Sequence, residues 1–496
     1  EKSAPFVYEA YFPTKQDIYE EVTDEIALNW KHEEGIIIDY YNQPLIPQVK
    51  SNRGPKVAVG DVNHDGLDDF YVCGATLHPG VLFQQDNKGN FIPTNATLFQ
   101  KDSVAENVDA IFIDADNDGD QDLYVVCGGN SFQNGSAALV DLLYINDGDG
   151  NFTKSDSSLQ YVARDKSCVT IADIDNDGDK DMFVGGFVNP EYYGQAQTSY
   201  VLRNNGKGVF EVIEKFFLGL GMVTDAQFAD VNNDGIKDIV VVGEWMPITI
   251  FIVNSQGVTK TTIPNSTGLW QSVFVDDVNG DGNNDLIIGN WGHNNKFWSN
   301  KTPPLRLYHG DFTNNKRAEQ LLTYVYKGKE YTFLGLQGIE QSMPEVRKKH
   351  LLYSKFASKT FNQVFGDIVK DAKPLIAERL GSVICYGNGN GEFNMVDLPK
   401  GLQKAPINVI SKGSNKNQYL FGGNLFETRP LEGRYDAQAL TIANYKEGRF
   451  ITESQINFDA LKGQVKGLVW INTVKHGKVL IVARNDEKLL FYKPIN

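Results

Sequence analysis

Five times within its first 300 residues the chain repeats one nine-residue pattern: Asp, any, Asp or Asn, any, Asp, Gly, any, any, Asp. The side-chain oxygens at positions one, three, five and nine are Asp61, Asn63, Asp65 and Asp69; Asp114, Asp116, Asp118 and Asp122; Asp173, Asp175, Asp177 and Asp181; Asp230, Asn232, Asp234 and Asp238; and Asp277, Asn279, Asp281 and Asp285. Carboxylates this close repel one another unless a cation sits among them. Oxygen-only donors in a flexible loop suit Ca²⁺, whereas Mg²⁺ demands a stricter octahedron. The pattern therefore predicts about five structural Ca²⁺ sites, with position seven adding a backbone carbonyl and Gly at position six allowing the turn with φ > 0. Loops with Asn at position three should bind more weakly than the all-Asp loops at 114 and 173, because ligand charge tunes affinity.

The residues after each loop exclude a helix–loop–helix calcium site. Such a site runs for twelve residues and ends on a bidentate acid. Here the twelfth positions are Val72, Val125, Val184, Val241 and Ile288, followed by runs such as DLYVVCGG and DIVVVG. These runs are strand-like in length and β-branched content. Each loop thus joins two strands.

The first aspartates lie 53, 59, 57 and 47 residues apart, close to the period of propeller blades. Between loops a second hairpin recurs around an Asn/Asp-Gly turn: VLFQQDNKGNF, LLYINDGDGNF, YVLRNNGKGVF. Two hairpins per period make four strands, and four-stranded sheets set radially make an all-β propeller. The predicted fold is a propeller of seven or eight four-stranded blades, eight by unit count. Residues 1–50 lead into it, 51–300 hold the five loop-bearing blades, and 301–496 hold degenerate blades with a helical insertion at about 337–374, read as a short helix pair. The degenerate loop at Asp311 reads DFTNNKRAE, with Lys316 for the Gly, Asn315 for the fifth Asp and Glu319 at position nine.

These motifs resemble the FG-GAP/VCBS repeats of integrin α-subunit propellers and bacterial surface proteins. Beyond the loops, PKVAVGDVNHDGLDDFYVCGA, LLTYVYKGKEY, GRYDAQAL and VLIVARNDEKLLFYK are similar to segments of large Bacteroidota-type outer-membrane FG-GAP proteins. Those often carry a UnbV/ASPIC module and an upstream lipoprotein signal. The resemblance covers most of residues 30–496 and implies a location on the outer face of the outer membrane or secretion. It also implies a partner such as an outer-membrane transporter or assembly complex. It implies no agreed activity, and the chain has no counterpart of the upstream part, as expected of a fragment, a processed product or a subunit.

Composition sets further bounds. The net charge is −16, and five Ca²⁺ would reduce it to about −6. An acidic surface argues against nucleic-acid binding, and no run of 18 apolar residues is present to span a bilayer. Cys73, Cys127, Cys168 and Cys385 read as buried free thiols rather than a disulfide framework. The seven histidines show no paired ligand spacing, and His64, inside the first loop at a non-ligand position, is expected to face solvent. No nucleophile-elbow or phosphate-loop motif occurs. Glu244, Trp245, Trp291, Arg429, Arg434 and Tyr435 follow strand ends, where a propeller has its rim and central funnel. They are either binding anchors or wedges between blades, and Arg434 is expected to pair with loop carboxylates. The sequence therefore favours a non-catalytic, calcium-stabilised surface module that binds protein. The alternative is a calcium-dependent carbohydrate-active or glycan-binding propeller of polysaccharide-lyase type.

Overall fold

Backbone pairing in the computed structural model, which describes residues 17–35, 39–297, 305–429, 431–453, 458 and 461–495, sorts into seven radial sheets of four antiparallel strands. Blade one comprises Val57–Gly60, Asp69–Val72, Val81–Gln85 and Phe91–Thr94. Blades two, three and four begin at Glu106–Ile113, Lys166–Ala172 and Met222–Ala229. Blade five begins at Ser272–Asp276, blade six at Ile407–Lys412 and blade seven at Val465–Thr473. Each of these inner strands touches the next, and Val465–Thr473 touches Val57–Gly60. The ring is closed and sevenfold.

Closure uses the two distant parts of the chain. The fourth strand of blade seven is Tyr19–Glu21, paired antiparallel with Leu490–Pro494 in the register Tyr19↔Pro494, Glu20↔Lys493, Glu21↔Tyr492. Tyr19 is buried, stacks on Phe458 at 5.2 Å and donates its hydroxyl hydrogen to Gln418 Oε1 of blade six at 2.6 Å. Of the predicted leading segment 1–50, residues 1–16 and 36–38 lie outside the described residues, as do 298–300 at the predicted boundary near 300.

One of the eight units counted in the sequence, that at Asp311, is a four-stranded sheet but not a blade of the ring. It consists of Leu305–Gly310, Glu319–Tyr326, Lys329–Thr332 and Leu375–Ala377. It is inserted between the second strand of blade five, Asp285–Gly289, and the third, Val383–Gly387, which pair directly with each other. The degenerate loop at Asp311 belongs to this inserted sheet and retains the turn: Asn314 and Lys316 both take positive φ, 56° and 65°. The insertion also holds four short helices, not a pair: Leu336–Ile339, Pro344–Lys349, Tyr353–Ala357 and Phe361–Phe365. Pro344 begins the second and the Thr360/Gln363 capping box begins the fourth, which cuts the segment into pieces too short for an amphipathic stripe.

The apolar core is divided among the blade interfaces. Val108, Ile113, Tyr124 and Val126 of blade two pack with Val169, Met182, Val184 and Tyr200 of blade three, and an equivalent cluster fills every other interface around the ring. Second strands are buried on both faces, as in Asp122–Gly128, so they read as continuous apolar runs. All four cysteines are free and buried, two of them, Cys73 and Cys127, in the interface between blades one and two. Because Tyr19 joins blades six and seven, Tyr19→Ala should destabilise the protein by about 3–5 kcal/mol. Urea unfolding measures this; an unchanged midpoint would mean that the amino-terminal strand is not part of the ring.

Candidate functional site

An antiparallel blade places the connection between its first and second strands at one end and that between its second and third at the other. The propeller therefore has two unlike faces, one carrying the five repeated loops and the other carrying the long excursions.

On the loop face the five motifs adopt one geometry. The position-one carboxylate accepts the N–H of the position-six glycine: Asp61 from Gly66 at 3.0 Å, Asp114 from Gly119 at 3.2 Å, Asp173 from Gly178 at 3.1 Å, Asp230 from Gly235 at 2.9 Å and Asp277 from Gly282 at 3.0 Å. Those glycines have φ between 82° and 102°. The position-nine aspartates are buried and each accepts two backbone N–H groups. One comes from position two of its own loop, as Ala115 to Asp122 at 2.9 Å, and the other from the end of the third strand, as Asn146 to Asp122 at 2.8 Å. Asp69, Asp181, Asp238 and Asp285 repeat this pair of bonds. Position nine, read from the sequence as a ligand, is thus first a clasp between loop and third strand.

The donor set fits a hard cation. Oδ1 of Asp61, Asp114, Asp116 and Asp173 is buried without a hydrogen-bond partner, a costly arrangement unless something positive is near. Carboxylate oxygens of Asp114, Asp116 and Asp122 lie within 4.8 Å of one another, as do those of Asp173, Asp175 and Asp177. Burial, reinforced by neighbouring carboxylates against the opposing backbone bonds, pushes Asp69 and Asp181 up to about 6 and Asp122 up to about 7, and raises Asp238 and Asp285. These acidic clusters can hold metal ions, and a cation among them would oppose that shift.

One position treated as a filler in the sequence carries structure. Position four is left-handed in every loop: His64, Asn117, Asn176, Asn233 and Gly280 have φ of 56°, 61°, 58°, 59° and 78°. The recurrence of Asn and Gly there was the readable signal, since these types tolerate that region. In three of the four successive pairs position four also reaches position seven of the next loop. His64 Nδ1 lies 3.4 Å from Asp120, Asn117 donates to Asp179, and Asn233 donates to Asn283 at 2.8 Å. His64 is half-exposed but tied to its neighbour.

The opposite face is built by residues 39–53, which cross the axis before entering blade one. Lys50 Nζ lies 2.8 Å from both carboxylate oxygens of Glu244, with both side chains buried. Tyr193 donates to Glu244 Oε2 at 2.9 Å and Gln48 donates to Oε1 at 3.2 Å. Gln43 donates to Pro190 O and accepts from Tyr193 N and Gln320 Nε2, joining blade three to the inserted sheet. Beneath this strap an axial cavity is lined by one residue from or beside each inner strand: Lys56, Val108, Ser167, Thr224, Gln271, Asn408 and Lys466. Five of these, Val108, Ser167, Thr224, Asn408 and Lys466, occupy register shifts, the bulges that turn a side chain out of the ladder.

The rim residues divide between the two roles the sequence left open. Glu244, Trp245 and Trp291 are buried. Trp245 takes φ of 60° and donates Nε1–H to the Tyr193 hydroxyl at 2.8 Å, and Trp291 packs within the apolar cluster that includes Phe187, Leu322 and Phe333. They are wedges. Arg429 donates to Ile46 O and lies over the Tyr40 ring, fastening the strap. Arg434 is exposed and lies 4.6 Å from the Phe426 ring centroid, a position held by an aromatic face rather than by the loop carboxylates, which are on the other side. Tyr435, 6.1 Å from the Trp291 ring, shares an open pocket with His293, Lys296, Glu432 and Arg434. Among the described residues no helix is long and apolar enough to cross a membrane.

The FG-GAP-like repeat family matches residues 61–125, 114–184 and 230–288, segments that together contain all five loops. Among curated proteins none matches this chain. Solved structures similar to it include the Dos1 propeller, at 9% identity and TM-score 0.38 over 91% of this chain and 96% of that one. Saccharomyces cerevisiae Sqt1 overlaps at 10% identity and TM-score 0.41, covering 91% and 98%. The V. cholerae biofilm matrix protein Bap1 overlaps at 10% identity and TM-score 0.32, covering 95% and 91%. The fold described above rests on strand order, not on these overlaps. If the position-nine clasp is as described, Asp122→Asn should lower stability by about 1–3 kcal/mol even in the presence of a chelator, because an amide nitrogen then meets a backbone N–H. Equal unfolding free energies for variant and parent would refute the clasp.

Proposed function

We propose that this FG-GAP-repeat β-propeller is a non-catalytic, calcium-stiffened module that binds another protein through its excursion-bearing face. The observation that carries this reading is the buried Lys50–Glu244 pair. The chain's own strap covers the axial mouth, where a small substrate would have to enter, so a ligand on this face meets a surface. That surface offers exposed Arg434, half-buried Tyr435 and the highly exposed Tyr41 and Leu431, the residue types that anchor protein interfaces, with Tyr and Arg foremost.

Calcium belongs to the scaffold in this proposal. Each loop would hold one ion through positions one, three and five, with position nine using the lone pairs its two N–H bonds leave free. The ions would complete a belt already begun by contacts between positions four and seven. Chelation with EGTA should then lower the melting temperature, since Ca²⁺ binds the folded loops and hardly the unfolded chain. Asp118→Ala should reproduce part of the loss. Identical melting curves with and without EGTA would sink the calcium assignment.

Display on the outer face of the outer membrane, or secretion, is part of the proposal and is supported by the resemblance of the chain to outer-membrane FG-GAP proteins. Capture from solubilised outer membranes should return a specific partner with the parent protein and not with Arg434→Glu/Tyr435→Ala. Intact cells treated with protease should lose the protein. Partner capture unaffected by the double variant would move the binding site elsewhere. Unsaturated products from uronate polysaccharides would replace the binding reading by a lyase.

A further inference from the structure

The insertion in blade five ends in a feature that neither the repeats nor the axial strap uses. Between helices Pro344–Lys349 and Tyr353–Ala357 the chain turns through His350, Leu351 and Leu352. Leu351, Leu352 and Tyr353 are 71%, 54% and 51% exposed, and Ser354 and Lys355 are exposed after them. This exposure is not loose packing. Val346 and Phe356, on either side, are buried with Ile339, Met343, Phe361 and Phe365 in a core of the insertion itself, which also holds Leu45 of the strap. The fold holds this segment firmly and presents its two leucines outward.

The charge around them is opposite to that of the chain. Residues 344–360 contain Arg347, Lys348, Lys349, Lys355 and Lys359 against Glu345 alone, in a protein of net charge −16. Lys348 is paired with Glu345 and Arg347 with Glu340, while Lys349 and Lys355 have no ion pair among the described residues. Arg347 also lies 4.7 Å from the Tyr353 ring centroid, which holds a cation beside the aromatic at the base of the tip.

We propose that this tip docks the propeller on an anionic lipid surface, Leu351 and Leu352 entering the interface and the surrounding lysines meeting lipid phosphates. Adjacent aliphatics with a tyrosine and flanking lysines are the composition of interfacial anchors. A lipid surface fits better than a protein because the exposed apolar area is confined to three adjacent residues, Leu351, Leu352 and Tyr353. A stable protein contact wants about 800 Å² per partner, whereas lipid closes around an apolar group of any size. This inference does not depend on the protein-binding reading and concerns a different part of the same face.

The test is cosedimentation of the purified full chain with phosphatidylcholine vesicles, with and without phosphatidylglycerol. Binding is expected only to the anionic vesicles and should fall in high salt. Lys349→Gln/Lys355→Gln should weaken partition by about fivefold per lysine removed, and Leu351→Asp/Leu352→Asp should abolish it. Lys88→Gln/Lys207→Gln, on the loop face, should leave it unchanged. All six positions are solvent-facing, so circular dichroism and melting should match the parent. Absence of binding to anionic vesicles at low salt overturns the proposal. Binding that survives the leucine substitutions, or that falls equally with the loop-face lysines, overturns it too.

Discussion

Everything in this molecule depends on the ring being closed. The apolar clusters lie between blades, each drawing side chains from both neighbouring sheets. A single blade has no core of its own, and six blades in an open arc would leave two apolar faces in water. Burial is worth about 25 cal/mol per Å² of apolar surface, so two uncovered faces are a large deficit for a fold whose net stability is of order 5–15 kcal/mol. Blade seven removes that deficit by packing on blades six and one, and the short strand Tyr19–Glu21 completes it by pairing with Leu490–Pro494.

The same constraint explains why the two faces differ. At the loop end the contacts are polar and repeated. Position-nine clasps tie second strand to third, and position four of one loop reaches position seven of the next. Asn146 and Asn204 extend this by donating to Val62 O and Ala115 O of the preceding blade at 2.7 and 3.0 Å. At the other end the contacts do not repeat. A hairpin in blade three, a sheet and four helices in blade five, and the strap over the axis each occur once. Repetition serves stability, and the unique segments are what distinguishes this propeller from another with the same blades.

The strands, the hairpins and the five loops were legible because each is local: alternation, an Asn/Asp-Gly turn, a fixed spacing. Two things were not. The unit starting at Leu305 has strands and a degenerate loop like any blade, and only the pairing of Ile287 with Ile384 across ninety-odd residues shows that it stands outside the ring. Likewise nothing local in Lys50 or Glu244 announces that they meet, since Lys50 lies before the first blade and Glu244 in the fourth. Trp245 and Trp291 were ambiguous for a related reason: aromatic residues after strand ends suit a binding rim and a buried wedge equally well, and only the strap passing over them decides. Position four of the loops was legible but unread, because attention to ligands hides the residues whose backbone makes the turn.

The placement of Tyr19–Glu21 has a consequence for how such a chain is made. Synthesis delivers this strand before any blade, yet its partner Leu490–Pro494 follows every other strand of the ring. For the whole interval this strand lacks its partner, and blade seven is incomplete until Leu490–Pro494 has been made. The ring therefore closes only after all seven blades have been made. If the protein crosses a membrane unfolded, that delay is useful: a chain whose ring is still open remains threadable.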